Sequence, residues 1–311
     1  MRVTGNTFTN NFLSQVSHLT SRQQMLQTQT ATGQRITAPE DDPDAMQRVL
    51  NFKDEQLSLA QYKSNISLLK DRATSGFNVI KAVKTVSDRV GEIATLADGT
   101  RSPEELKTYA SEVTALIKQA VQSMNSKQGD QYLFAGTATA QAPFTVNTDA
   151  NGNVTSVTYN GNTTVTENEI ASGSTIAIDV PGANSSGNGA RGVIADSRTG
   201  ADFFNHLISL QNHLLAGDTA AIASTDRPAL RTDEENLIYH IGSNGVLQSR
   251  LEAASTAASN RIDSLETMIS KDADANLTET IVQLTQTQTS YQAALQSGAT
   301  LMKLSLMNYL S

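Results

Sequence analysis

Residues 277–311, LTETIVQLTQTQTSYQAALQSGATLMKLSLMNYLS, decide the fold. On a 4-3 spacing Leu277, Ile281, Leu284, Gln288, Tyr291, Leu295, Gly298, Met302, Ser305 and Tyr309 fall in register over nearly five heptads, which marks a coiled-coil seam. The opposite end repeats the pattern. Phe12, Val16, Leu19, Gln23, Leu26, Thr30 and Gly33 keep the same spacing, so the two ends are expected to pair.

Charge sets these ends apart from the rest. Residues 1–39 carry Arg2, Arg22 and Arg35 and no acid, and residues 281–311 carry only Lys303. The formal charge of -8 therefore belongs to the middle of the chain. Gln, Thr, Ser and Asn fill outward positions where a monomeric surface helix places Glu and Lys. Such faces can pack against copies of themselves without like-charge repulsion. The seams are also poor, with Gln23, Thr30, Gly33, Gln288, Gly298 and Ser305 where a strong two-stranded coil wants Leu or Ile. The helix pair is expected not to fold alone and to order when neighbouring subunits supply further faces. Assembly is the function this pattern implies.

Composition narrows the classes. The chain has 311 residues, 38% hydrophobic content, six prolines and no tryptophan, which suits long helices. A pI near 5.0 argues against nucleic acid as a partner. With no Cys there is neither a disulfide framework nor a thiolate metal site. Met1 to Asn11 lacks the basic-then-apolar pattern of a secretory signal, and no apolar run reaches the ~20 residues that span a membrane. Export without a cleaved signal peptide, and no membrane insertion, are expected.

Inward from the ends, the first helix should cover Asn6 to Ala31. Asp41 and Asp42 sit in an acidic, proline-rich turn, with Asp42 as N-cap and Pro43 opening the next helix. That helix should run to about Ala97, with a seam that includes Leu59, Tyr62, Ile66, Leu69, Ala73, Ile80, Val83 and Val90. Such a helix is about 80 Å long. Ser102 and Pro103 start an antiparallel return helix through Leu106, Val113, Ile117 and Met124 that should end at Gly129. From about Gln131 to Thr199 the texture becomes β-branched, with strands expected at Phe144–Val146, Val154–Tyr159, Thr163–Thr166 and Ser174–Val180, and hairpin turns at Asn151-Gly152 and Asn160-Gly161. Helix should resume over Ala201–Ala216 and again over Arg227–Ile269. The expected fold is mainly α: a long antiparallel coiled-coil helical rod with paired N- and C-terminal helices and a small inserted β domain. Residues 1–38 and 277–311 would form the terminal assembly region, 39–135 and 201–276 the helical rod domain, and 136–200 the insert.

Candidate sites of chemistry are weak. Gly187 to Gly192 matches a dinucleotide fingerprint by letter, but a polar loop precedes it where a strand is required. Asp149 to Asn153 begins like a calcium loop, yet position twelve would be Asn160 instead of Glu. His206 and His213 lie seven apart on one helix without a third ligand, and read as exposed helix polar residues. His18 and His240 are isolated, and no nucleophile has an orienting acid. No catalytic residue, cofactor or metal is expected, and the chain reads as a non-enzyme.

Two motifs carry a family resemblance. Gly33-Gln34-Arg35-Ile36 followed by Asp41-Asp42-Pro43 is similar to the N-terminal element of the bacterial flagellin family, with Gln34 where the family has Lys. Tyr132-Leu133-Phe134-Ala135-Gly136, followed by Pro143-Phe144, resembles the hook-associated protein 3 branch more than filament flagellin. The stretches 290–295 and 304–310 are similar to the family's C-terminal helix. The resemblance implies a structural subunit at the hook–filament junction, outside the cell. Its implied partners are copies of itself in a ring or layer, hook-associated protein 1, flagellin, and a cytoplasmic export chaperone holding the C-terminal segment. Filament flagellin and a non-polymerising secreted coiled-coil protein are the alternatives.

Overall fold

The structure, a computed structural model, describes the backbone of residues 5–310 and the side chains of residues 10–300. Seven helices carry most of that chain: α1 (Gly5–Thr32), α2 (Pro43–Leu96), α3 (Pro103–Met124), α4 (Phe203–Ala216), the single turn α5 (Thr219–Ala221), α6 (Arg227–Ala273) and α7 (Leu277–Leu310). A π-helical turn, Ile222–Asp226, leads into α6. Nine short strands lie between α3 and α4: β1 (Lys127–Gln128), β2 (Gln131–Tyr132), β3 (Phe144–Thr148), β4 (Val154–Tyr159), β5 (Glu167–Ala171), β6 (Ser174–Ala177), β7 (Ala183–Asn184), β8 (Ala195–Asp196) and β9 (Ala201–Asp202). The expected class, mainly α with paired terminal helices and a small β insert, is the class observed. Two compact units divide the chain, residues 1–58 with 260–311, and residues 59–259.

In the larger unit the main core joins helices α2, α3 and α4. Ile80, Val83, Val90 and Ile93 of α2 meet Leu106, Val113, Ile117 and Met124 of α3, and Phe203, Leu207, Leu210 and Leu214 of α4. The 3-4 spacing of these residues is what turns one apolar stripe of each helix inward. Ser102 caps α3 in a full capping box with Glu105, and Pro103 opens the helix. A second cluster joins Ile66, Leu69 and Ala73 of α2 and Leu251 of α6 to Ile170, Ile176 and Ile178 of the β region.

The β region differs from expectation in several places: the strand expected over Ser174–Val180 ends at Ala177, and β5 and the β7–β8–β9 sheet match no expected strand. β3 pairs with β4 and β5 with β6, so Asn160-Gly161 is a link between hairpins and not a hairpin turn. Thr163–Thr166 is not a strand. Side-chain bonds hold that link: Asn162 Oδ1 accepts from the Thr137 and Thr164 amides, at 3.0 and 3.1 Å. Backbone groups anchored this way need no ladder partner. Helix α3 also stops before Gly129. Asn125 trades hydrogen bonds with both backbone groups of Phe144, at 2.8 and 2.9 Å, and so starts β3 where the helix ends.

Candidate functional site

In the smaller unit α1 and α7 pack together. On α1, Phe12, Val16, Leu19, Gln23 and Thr30 are half-buried and Leu26 is buried. On α7 the shielded line is Thr280, Leu284, Thr287, Tyr291, Ala294 and Gly298. Of the expected seam residues, Leu284, Tyr291 and Gly298 lie on that line, whereas Leu277, Ile281 and Leu295 are 46%, 50% and 43% exposed. Met302 and Tyr309 lie outside the residues whose side chains are described. The difference is steric. Small and polar residues at 280, 287, 294 and 298 let α1 approach α7 closely, which turns the larger aliphatics outward. Val282, 61% exposed, lies beside them.

The Gly33–Pro43 motif closes the open ends of this pair. Gly33, with φ of 71°, ends α1 in the left-handed conformation that glycine adopts without strain. The following backbone joins the α6–α7 connection: the Arg35 amide donates to Ala273 O at 2.6 Å and the Ala275 amide to Gly33 O at 2.8 Å. The Arg35 guanidinium spans two partners, Asp272 O at 2.7 Å and the Asp42 carboxylate at 3.1 Å. Ile36 is buried beneath it. Asp41 accepts from the Thr37 and Ala38 amides, each at 2.9 Å, and these bonds hold its carboxyl below the usual range. Asp42 accepts from the Ala45 amide at 3.1 Å, an N-cap on α2 with Pro43 at its first position. Arg48–Asp272 and the two-pronged Arg261–Glu55 pair add exposed ion pairs.

The second motif is a core element of the larger unit. Leu133, Phe134, Gly136, Pro143 and Phe144 are buried and Tyr132 is half-buried. Phe144 contacts Tyr159 and Phe204, with ring centroids 5.1 and 5.3 Å apart. The Tyr159 hydroxyl donates to Phe134 O at 2.9 Å.

Sequence reasoning missed a buried polar seam along α4 and α6. His206 and His213 are not exposed surface residues. His206 Nδ1 lies 2.7 Å from the fully buried Asp233 carboxylate, and His213 Nδ1 lies 2.7 Å from Asp226. Asp233 also accepts from the Asp202 amide at 2.8 Å, and Asp226 from the Ser209 hydroxyl at 2.8 Å. The hydrogen bond to Asp233 raises the His206 imidazole above its ordinary value. Burial raises the Asp233 carboxyl, against the pull of His206. The signal was available: Asp226 and Asp233 share the seven-residue spacing of the two histidines. Elsewhere, Gly187–Gly192 folds as a loop with Asn184 beside it, its Oδ1 accepting from the Ser186 and Gly187 amides. Asp149 caps the β3–β4 turn through the Asn151 and Asn153 amides. Among the described residues no group of three or more His, Cys, Asp or Glu is placed to hold a metal ion. No described helix is long and apolar enough to cross a membrane.

Paired terminal helices, a clasped G-Q-R-I…DDP turn and a β insert make up a mainly α class of protein. Over residues 3–139 the chain matches the family model of the bacterial flagellin N-terminal helical region. The chain is also similar to flagellar hook-associated protein 3: the Salmonella typhimurium protein of that name is 29% identical over 118 residues. The match spans 37% of this chain and 37% of that relative. Among solved structures, a Vibrio parahaemolyticus protein described as a flagellar hook-associated protein aligns with a TM-score of 0.64 at 20% identity, over 75% of this chain and 100% of that one. The FlgL structure of Xanthomonas campestris aligns with a TM-score of 0.55 at 19% identity, over 69% and 98%. These structures share the fold.

Proposed function

We propose that this chain is a structural subunit of the bacterial flagellum that forms the junction between hook and filament and assembles through its terminal helices. The carrying observation is the outward aliphatic face of α7, Leu277, Ile281, Val282 and Leu295, on a helix pair almost free of charge. Large aliphatics left exposed on one helix call for a partner, and in a chain similar to flagellar hook-associated protein 3 that partner is the neighbouring subunit. Residues 1–38 and 277–311 would be the assembly region, 39–135 and 201–276 the rod, and 136–200 an outward-facing β insert. In this reading Phe12, Val16, Leu19, Leu26, Leu284 and Tyr291 serve the α1–α7 contact and Leu277, Ile281 and Leu295 the outward face, with Met302 and Tyr309, outside the described side chains, continuing the assembly region. The neighbours would be copies of itself, hook-associated protein 1 on one side and flagellin on the other. A cytoplasmic chaperone would cover the C-terminal segment before export to the cell exterior. The role is mechanical and non-enzymatic. Purified chain should form no long filaments by itself but should bind flagellin ends. Long filaments grown from the purified chain alone would favour filament flagellin instead.

A further inference from the structure

The loop that carries Gly187–Gly192 is held to α6 by a buried histidine. His240 is 4% exposed, and its Nε2 lies 3.0 Å from Gly192 O. A carbonyl can only accept, so Nε2 carries the proton. Asn236, one turn earlier, donates from Nδ2 to the same carbonyl at 3.0 Å and to Val193 O at 2.7 Å. Asn236 Oδ1 in turn accepts from Arg191 Nε at 2.7 Å, and the Arg191 guanidinium lies 4.0 Å over the Tyr239 ring. One turn of α6 therefore grips residues 191–193 through the Arg191 side chain and the Gly192 and Val193 carbonyls.

The charges around His240 do not welcome a second cation. From the loop, Arg191 and Asp196 face it, and Asp196 is committed to Arg198, at 2.6 Å, and to the Gly192 amide, at 3.0 Å. Ile80 of α2 and Ile178 and Val180 of the β region line the small crevice beside the ring, and Asp179 between them is paired with Arg72. On α6 itself, Tyr239 is turned to the solvent side. Burial, reinforced by Arg191, lowers the imidazole to about 4, against the pull of the Gly192 carbonyl.

We propose that the docking of the 183–200 loop on α6 is an acid-released clasp, with protonation of His240 as the trigger. Charging the ring adds a cation near Arg191 beside a crevice lined by Ile80, Ile178, Val180 and Leu247 with Ser243 and Asn244 at its side, and the cost is relieved when the loop lifts and the ring reaches water. A histidine depressed in the folded state contributes stability above its unfolded value, near 6.5, and loses it as pH falls toward 4. On α4 the His206–Asp233 bond acts in the opposite sense and keeps that helix docked in acid. Release is confined to the loop.

The test is backbone hydrogen exchange on the full chain at pH 7.0 and 4.5, corrected for intrinsic rate, in wild type and His240→Gln. Glutamine keeps a donor but cannot titrate. The Val193 and Ile194 amides, bonded to Pro181 O and Gly182 O, are the reporters. In the wild type their protection should fall on the order of ten- to a hundredfold at pH 4.5, with α4 amides unaffected, and His240→Gln should abolish the fall. Equal loss in both proteins, or no loss in the wild type, overturns the proposal. Should the variant misfold, nuclear magnetic resonance titration of wild-type His240 decides. A ring that titrates well below 6.5 together with the loop signals supports the clasp, and a ring that titrates near 6.5 without them contradicts it.

Discussion

Gly298 on α7 is the seat of the Phe12 ring of α1: a Cβ placed on Gly298 would lie 2.3 Å from Phe12 Cζ and 2.7 Å from Cε2. A glycine in a coiled-coil register looks like a flaw, and here it is the condition for close approach. Gly298→Leu should drive the ring out and cost about 1–3 kcal/mol through overpacking. Amide protection in residues 10–32 and 277–298 should fall, and Phe12→Ala in the same chain should restore part of it. Unchanged protection in Gly298→Leu would show that the ring does not pack there.

Two arginine–carboxylate pairs should behave differently when cut. The Arg72 and Asp179 side chains are only 17% and 11% exposed, whereas those of Arg261 and Glu55 are 45% and 41% exposed. Arg72→Ala strands a carboxylate away from water and should destabilise the larger unit by about 3–5 kcal/mol. Arg261→Ala should leave the urea midpoint unchanged, because an exposed, salt-screened pair contributes little. Equal shifts for the two variants would contradict this ranking.

His206 gives a pH dependence with a defined sign. Its imidazole is raised in the folded state by the bond to Asp233, so its contribution is complete below the unfolded value, near 6.5. That contribution is lost as pH rises through the raised folded value. The urea midpoint should therefore fall between pH 6 and pH 9 in the wild type, and His206→Asn should flatten this limb. A limb as steep in the variant would assign the effect to another group.

Long periodic helices were legible because each carries its own stripe and its own punctuation. Asp42-Pro43 and Ser102-Pro103 place α2 and α3 to within a residue at their starts. Strand pairing was less legible, since Asn160-Gly161 has the letters of a hairpin turn while Asn162 gives the backbone other partners. The α7 register failed for a related reason. Both lines of residues keep 4-3 spacing, and apolarity favoured 277, 281 and 295, although close approach is decided by the small residues at 287, 294 and 298. The α4–α6 polar seam left only one trace, the seven-residue spacing shared by His206 and His213 with Asp226 and Asp233, and nothing local in either pair says that the two meet.

The most direct measurement is filament attachment in a strain that carries Ile281→Asp and Leu295→Asp in place of the wild-type chain. Both side chains point away from α1, so the fold of the larger unit should be intact by circular dichroism and the subunit should still be exported. Under the junction reading, hooks form, flagellin is released unassembled and filaments are missing. Normal filaments on that double variant would contradict the claim that the outward face of α7 is the assembly surface.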